Sequence, residues 1–178
     1  MEFNEKTIER EYIYNGKIIN LRRDKVEIPG GRESYREIVE HNGGVAIFAV
    51  NDKKEVIMVR QFRKPFDEVL LEIPAGKLEK GENPLECGIR ELEEETGFKA
   101  KKMELMNVIY PSPGFSNEKL YIYFCDEMEK SSTNYDEDEI IQIETVPYDK
   151  AIDMIYKNEI TDAKTITGIL MAGKYIKG

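Results

Sequence analysis

At residue 44 the chain changes from alternating to continuous apolar positions. Val45-Ala-Ile-Phe-Ala-Val50 is apolar throughout and Glu55-Val-Ile-Met-Val-Arg-Gln61 nearly so, with Asn51-Asp-Lys-Lys54 between them. Such runs predict central strands joined by a turn and covered on both faces. Before residue 44, Glu11–Tyr14, Lys17–Glu27 and Ser34–Glu40 alternate polar and apolar positions, broken at Asn15-Gly16 and Pro29-Gly30-Gly31. Asn-Gly between alternating runs is a strong hairpin signal, so this segment predicts an antiparallel sheet of about three strands. Further strands are expected over Val69–Ile73, Ala100–Ile109, Leu120–Cys125 and Ile140–Val146. Two helices should follow, Tyr148–Lys157 and Asp162–Lys174, the second capped by Asp162 and burying Ala163, Ile166 and Leu170 on one face.

Between these strands lies a helix with clear start and stop signals. Asn83 is a good N-cap, Pro84 suits the first helical position, Glu86 stands where a capping box needs it, and Gly97 sits where a left-handed residue closes a helix. The prediction is a helix over Pro84–Thr96, preceded by a Gly-rich, charged loop from Pro74 to Glu82. Leu85, Ile89 and Leu92 should form its buried stripe, with Glu91, Glu94 and Glu95 together on roughly the opposite side. Four glutamates occupy five consecutive positions, at 91 and 93–95. Like charges this close repel unless water or a cation intervenes. A solvated acidic face, with Arg90 and Glu94 as an i,i+4 pair, is the plain reading. A carboxylate cluster for a hard divalent cation is the functional one, because Mg²⁺ prefers oxygen ligands and is usually shared with substrate phosphates.

Spacing decides between them. Gly76, Glu82, Arg90, Glu91, Leu92, Glu94, Glu95, Gly97 and Phe98 fill every fixed position of G-x5-E-x7-R-E-U-x-E-E-x-G-U, where U is a bulky apolar residue. This stretch resembles the Nudix box. The resemblance implies an α/β fold with a mixed sheet: a Nudix α/β/α sandwich, here with an N-terminal antiparallel β-sheet extension. It also implies Mg²⁺-dependent hydrolysis of a nucleoside diphosphate linked to another group, with Mn²⁺ as a substitute metal. By the same resemblance Glu91 and Glu95, helped by Glu94 and the Ala75 carbonyl, would hold the metal, and Arg90 would orient the box glutamates. Glu82 would brace the loop or stand behind the metal ligands.

Smaller motifs resemble the ADP-ribose pyrophosphatase subfamily. Pro113 in Tyr110-Pro-Ser-Pro-Gly-Phe-Ser-Asn-Glu118 stands 16 residues beyond Gly97, the spacing at which that subfamily carries proline. Its loop faces the terminal ribose and the metals, a role that would pass to Ser112, Gly114 and Glu118. Arg36, Glu37 and Arg63 match substrate-contacting positions, with Arg63 on the diphosphate, where the planar fork of arginine suits phosphate oxygens. Glu72 would reach metal-bound water or the ribose, and Lys77, Lys17 and Ile18 complete the substrate-binding candidates. Lys17 departs from relatives that place an adenine-stacking aromatic there, so stacking would fall to Tyr12, Tyr14 or another aromatic. In the acidic run Asn134–Glu139, Glu137 matches the residue that acts on the attacking water, beside Glu94 as a second catalytic candidate, and Glu139 matches a further metal ligand. ADP-ribose would yield AMP and ribose 5-phosphate. Another nucleotide sugar such as GDP-mannose, or a non-catalytic nucleotide-binding Nudix module, are the alternatives; the latter would be expected to lose box carboxylates, and none is lost here.

Composition narrows the field further. A net charge of −9 argues against a nucleic-acid-binding surface and makes a cation useful to any anionic substrate. Two cysteines are too few for a disulfide framework, and the single His41 excludes a multi-histidine metal site. The opening Met-Glu-Phe-Asn-Glu-Lys is no signal peptide and no apolar run reaches membrane-spanning length, so a reducing cytoplasm and no membrane partner are expected. The 178 residues should divide into an N-terminal sheet, 1–42, and a hydrolase domain, 43–178. Relatives often pair through that sheet, so a homodimer binding a small-molecule substrate is the expectation.

Overall fold

The computed structural model describes residues 3–132 and 140–176. Two compact units divide the chain: residues 1–43 with 110–119, and residues 44–109 with 120–178.

In the first unit, β1 (Lys6–Asn15), β2 (Ile19–Ile28) and β3 (Arg32–His41) form an antiparallel sheet in chain order. β1 and β3 are longer than the alternation alone predicted, whereas β2 starts two residues later and ends one residue later than the expected run. Two register shifts interrupt β1, between Thr7 and Glu9 and between Tyr12 and Tyr14, and all ten of its residues are exposed. Asp24 in β2 is buried, and its charge is met by Arg10 from β1 at 3.1 Å and by Arg22 at 3.3 Å. The loop 110–119 runs beside β3, where the Val39 N–H donates to the Phe115 carbonyl and the Asn117 N–H to the Val39 carbonyl.

The second unit is built around β4 (Gly44–Val50), which is buried along its whole length. Its neighbours are β5 (Glu55–Arg63), β6 (Glu68–Glu72), β7 (Ala75–Lys77), β8 (Phe98–Ile109), β9 (Leu120–Lys130) and β10 (Ile141–Pro147). Among the described residues these seven strands form a mixed sheet of order β10-β5-β4-β9-β8, with β6 added to β5 and β7 to β4. Only β4 and β9 run parallel among the pairs; the rest are antiparallel. The turn at Asn51 is as predicted: its side-chain oxygen accepts from the Lys53 and Glu55 N–H groups, and Lys54 takes a left-handed φ of 58°.

Alternation along β4 supplies two cores. Ala46, Phe48 and Val50 face α2 (Tyr148–Tyr156) and α3 (Ala163–Ile176), whose Tyr148, Ala151, Met154, Ile169 and Ala172 join that cluster. Val45, Ile47 and Ala49 face α1 (Pro84–Thr96), which contributes Cys87 and Leu92. Helices therefore cover both faces of the sheet, the α/β/α arrangement expected.

The helix ends agree with the sequence, but the buried faces do not. The Asn83 side chain accepts from the Leu85 N–H at 2.9 Å, and Gly97 closes α1 at φ 68° with its N–H on the Glu93 carbonyl. The buried side of α1 is Cys87, Gly88, Leu92, Glu95 and Thr96, whereas Leu85 is exposed and Ile89 only partly covered. In α3 the buried residues are Thr165, Gly168, Ile169 and Ala172, while Ala163 and Leu170 are exposed. The reason is shared: each helix meets the sheet through a glycine. A Cβ at Gly88 would stand 3.1 Å from Met103 Sδ, and one at Gly168 would stand 2.8 Å from Ile73 Cδ1. Among the described residues no helix is long and apolar enough to cross a membrane.

Gly97→Ala should lower stability by about 1 kcal/mol, because a side chain in the left-handed region costs roughly that much. Thermal unfolding should show a fall in Tm of roughly 2–4 °C, and an unchanged Tm would refute the closing role.

Candidate active site

The box helix carries its acids on differing sides, with Glu91 and Glu94 sharing Arg90 while Glu93 and Glu95 turn to other partners. Burial alone would pull the Arg90 guanidinium down, but the charge of Glu91 and hydrogen bonds to Glu94 and Glu82 outweigh it, and its pKa is raised. Arg90 Nη1 stands 2.8 Å from Glu91 Oε1 and donates to Glu94 Oε2 at 2.9 Å. Its Nε and Nη2 donate to Glu82 Oε1 at 3.2 and 3.1 Å. Glu82 also accepts from the Glu79 N–H at 2.9 Å, which closes the loop before the helix. Burial pushes the Glu82 carboxyl up, yet these donors hold it below the ordinary range. Glu93 turns elsewhere, accepting from Ser131 Oγ at 2.6 Å with Lys99 at 3.6 Å. An open groove of about 430 Å³ runs along this outer side of α1, lined by Glu86, Ile89, Arg90, Glu93, Glu94, Lys99 and Ser132.

Glu95 departs from expectation, because it lies on the buried side of α1 rather than opposite the core, only 4% exposed. Its carboxylate accepts from the Ala75 N–H at 3.1 Å, which ties the helix to β7. Glu91 sits against the next residue. A Cβ built on Gly76 would fall 1.9 Å from Glu91 Cδ, so only glycine lets the carboxylate lie on that backbone. Two glutamates of one helix thus converge on the 75–76 backbone. Among the described residues no group of three or more acids, cysteines or histidines already stands in the arrangement that would hold a metal ion. The donor set is nevertheless all hard oxygen, from Glu91, Glu94, Glu95 and the Ala75 carbonyl, and the Gly76 cradle leaves space for the carboxylate of Glu91. These residues fit a divalent cation of the Mg²⁺ or Mn²⁺ type.

A second cluster in the same unit surrounds Glu72, at the end of β6. Glu72 is 1% exposed and accepts from Arg63 Nε and Nη2, both at 2.7 Å. Lys164 Nζ, from the first turn of α3, donates to the same carboxylate. Asp162 pairs with Lys164 at 3.0 Å and accepts from the N–H and hydroxyl of Thr165, whose hydroxyl oxygen in turn accepts from the Ile73 N–H. Burial alone would raise the Glu72 carboxyl; the Arg63 hydrogen bonds and the Lys164 charge reverse that and set it below the ordinary range. The hydrogen bond to Glu72 likewise raises Arg63. The sequence reading singled out Arg63 and Glu72, named Asp162 only as the helix cap that it is, and missed Lys164 and Thr165. One signal was available: in Asp162-Ala-Lys-Thr165 a lysine occupies a first helical turn, where the helix dipole favours acids.

The remaining candidates divide by unit. Lys77 is exposed in β7, beside the box loop. Arg36, Glu37, Lys17, Ile18, Ser112, Gly114 and Glu118 all belong to the first unit. There Arg36 is held by Glu5 at 2.9 Å, Glu37 lies exposed opposite Arg23, and Lys17 and Ile18 lie exposed between β1 and β2. The Ser112 carbonyl accepts from Phe115 and Ser116 N–H groups, forming the tight turn that contains Gly114. Glu118 stands 3.5 Å from His41 Nδ1, which accepts from the Gly43 N–H. Tyr12 and Tyr14, the aromatics offered for base stacking, are about half exposed on β1. Glu137 and Glu139 lie outside the described residues. The Cys87 thiol, pushed up to about 12 chiefly by burial, is no nucleophile.

Comparison with known proteins joins these observations. The NUDIX domain family matches residues 40–168, and the nucleoside diphosphate sugar hydrolase N-terminal domain matches residues 5–39. The chain is 46% identical over 167 residues to the ADP-ribose pyrophosphatase of Bacillus subtilis (strain 168), covering 93% of this chain and 90% of that one. It is 41% identical over 169 residues to the methanol dehydrogenase activator of Bacillus methanolicus, covering 94% and 91%. A crystal structure of an ADP compounds hydrolase superposes with a TM-score of 0.86 at 20% identity, covering 98% of this chain and 95% of that one, a match that speaks for the fold.

The lowered Glu72 pKa fixes the sign of a pH effect. Its pairing stabilises the fold fully above the unfolded glutamate value near 4.5 and is lost as pH falls through the lower folded value. At pH 7, Glu72→Gln leaves two cations beside a neutral group and should cost ~3 kcal/mol. Melting curves should show a gap to wild type that narrows below roughly pH 4; a constant gap would refute the ionic account.

Proposed function

The chain belongs to the NUDIX domain family and is a hydrolase, and from that premise we propose that it cleaves the diphosphate bond of a nucleotide sugar, ADP-ribose foremost, to AMP and ribose 5-phosphate. One observation carries the reading: Glu91 and Glu95 converge on the Ala75–Gly76 backbone, Glu95 through a hydrogen bond and Glu91 through a contact that only glycine admits. Similarity to an ADP-ribose pyrophosphatase along nearly the whole chain supports ADP-ribose as the first candidate.

In this reading Glu91, Glu95, Glu94 and the Ala75 carbonyl hold Mg²⁺, with Mn²⁺ able to replace it. Bound there, a divalent cation supplies charge neutralisation at phosphorus and a more acidic water. Arg63 gives its planar fork to diphosphate oxygens, a better partner in geometry than any lysine. Arg90 keeps Glu82, Glu91 and Glu94 aligned, since each of its three nitrogens meets at least one of these acids. Glu137 takes the proton of the attacking water, needing only hydrogen-bond reach, with Glu94 as the other candidate. Glu139, Glu72, Lys77, Arg36, Glu37, Ser112, Gly114, Glu118, Lys17 and Ile18 complete the proposed set. Lys17 favours a second reading: with lysine where relatives place a stacking aromatic, base preference loosens, and GDP-mannose becomes a competing substrate. A turnover screen of ADP-ribose, GDP-mannose, diadenosine polyphosphates, NADH and nucleoside triphosphates decides between them.

Glu95→Gln, assayed with Mg²⁺ and ADP-ribose, should lose ~10²-fold in kcat, the usual cost of a key electrostatic group. Retention of more than about a tenth of wild-type kcat would remove Glu95 from the metal site. The exposed Ile8, Tyr12, Ile13 and Tyr14 of β1 support pairing of two chains through the N-terminal sheet. Sedimentation at assay concentration should give a dimer, and a monomeric value would exclude it.

A further inference from the structure

We propose that Lys164 is a positioning residue that releases Arg63 to an anionic ligand, a role that rests on the reading of Arg63 as the diphosphate contact. The juxtaposition is specific. Glu72 is essentially sealed from solvent, yet two cations share it, Arg63 with two hydrogen bonds and Lys164 through Nζ. They differ in access: the Arg63 side chain is 34% exposed and that of Lys164 12%. A buried carboxylate that loses its partner is strongly unfavourable. With Arg63 alone, the arginine could leave for a phosphate only by stranding Glu72. With Lys164 in place, the charge of Glu72 stays answered when Arg63 turns outward.

Two further observations support this division of labour. Lys164 sits in the first turn of α3, where a cation opposes the helix dipole, so the helix itself gives no reason for it. Asp162, the other acid near Lys164, is separately satisfied by the N–H and hydroxyl of Thr165. Lys164 also pairs with Asp162 at 3.0 Å, but Thr165 donates twice to that carboxylate, so the lysine charge is not its sole partner and serves Glu72 as well.

In this scheme Lys164 sets the fraction of molecules in which Arg63 is available, and apparent affinity scales with that fraction. Removing its charge should lock Arg63 onto Glu72. With Mg²⁺ and ADP-ribose, Lys164→Met and Lys164→Gln should raise KM by ~10-fold while kcat stays within about threefold, the pattern of lost binding rather than lost chemistry. Lys164→Arg, which keeps the charge, should hold KM within about threefold of wild type. An unchanged KM in both neutral variants overturns the proposal, as does a fall in kcat at constant KM. Circular dichroism monitors folding: if Lys164→Met is unfolded, Lys164→Gln carries the test, and loss of fold in both makes Lys164 a structural partner and overturns it. Arg63→Ala separates the two levels. If its KM is unchanged, the reading of Arg63 fails; if its KM rises while the Lys164 variants match wild type, only the Lys164 role fails.

Discussion

The Arg90 guanidinium answers three carboxylates at once, and the arrangement around it depends on that sharing. Glu82 reaches it from the loop, Glu91 and Glu94 from its own helix. Three carboxylates that share one guanidinium leave negative charge to which a ligand bringing positive charge is attracted. The same side chain that makes the acids tolerable thus keeps them grouped, and the Gly76 backbone gives one of them a fixed seat.

Much of the fold was legible because its strongest constraints are local. The apolar run at Val45–Val50 is long, continuous and bounded by a turn, as suits a strand covered on both faces. Asn83, Pro84 and Gly97 mark the ends of α1 through backbone requirements that do not depend on tertiary contacts. What escaped was the facing of the helices. Counting large apolar residues placed Leu85 and Leu170 inward, yet both are exposed. Contact at Gly88 and Gly168 brings helix backbone close to the sheet, and a glycine adds nothing to an apolar count. Glu95 was misplaced too: it shares the covered side of α1 with Gly88, and its hydrogen bond to Ala75 offsets burial.

The candidate site was legible in part. The box acids, Arg63 and Glu72 stood out by spacing and by family pattern, whereas Lys164 is remote in sequence and joins Glu72 only through the packing of α3. Both units use one solution for a sealed acid. Asp24 lies between Arg10 and Arg22, and Glu72 between Arg63 and Lys164. Two donors per buried carboxylate satisfy more of its lone pairs than one could, which makes the burial sustainable.

The two register shifts in β1 govern what else can pair with that strand. An edge strand offers unpaired N–H and C=O groups to any extended chain, and long regular edges invite aggregation. Each bulge interrupts the spacing of those groups and increases the local twist. Lys6, Glu9, Arg10 and Glu11 add charges that a passing unfolded segment would have to match. The exposed aromatics of β1 are therefore presented on an edge that discourages indiscriminate strand addition.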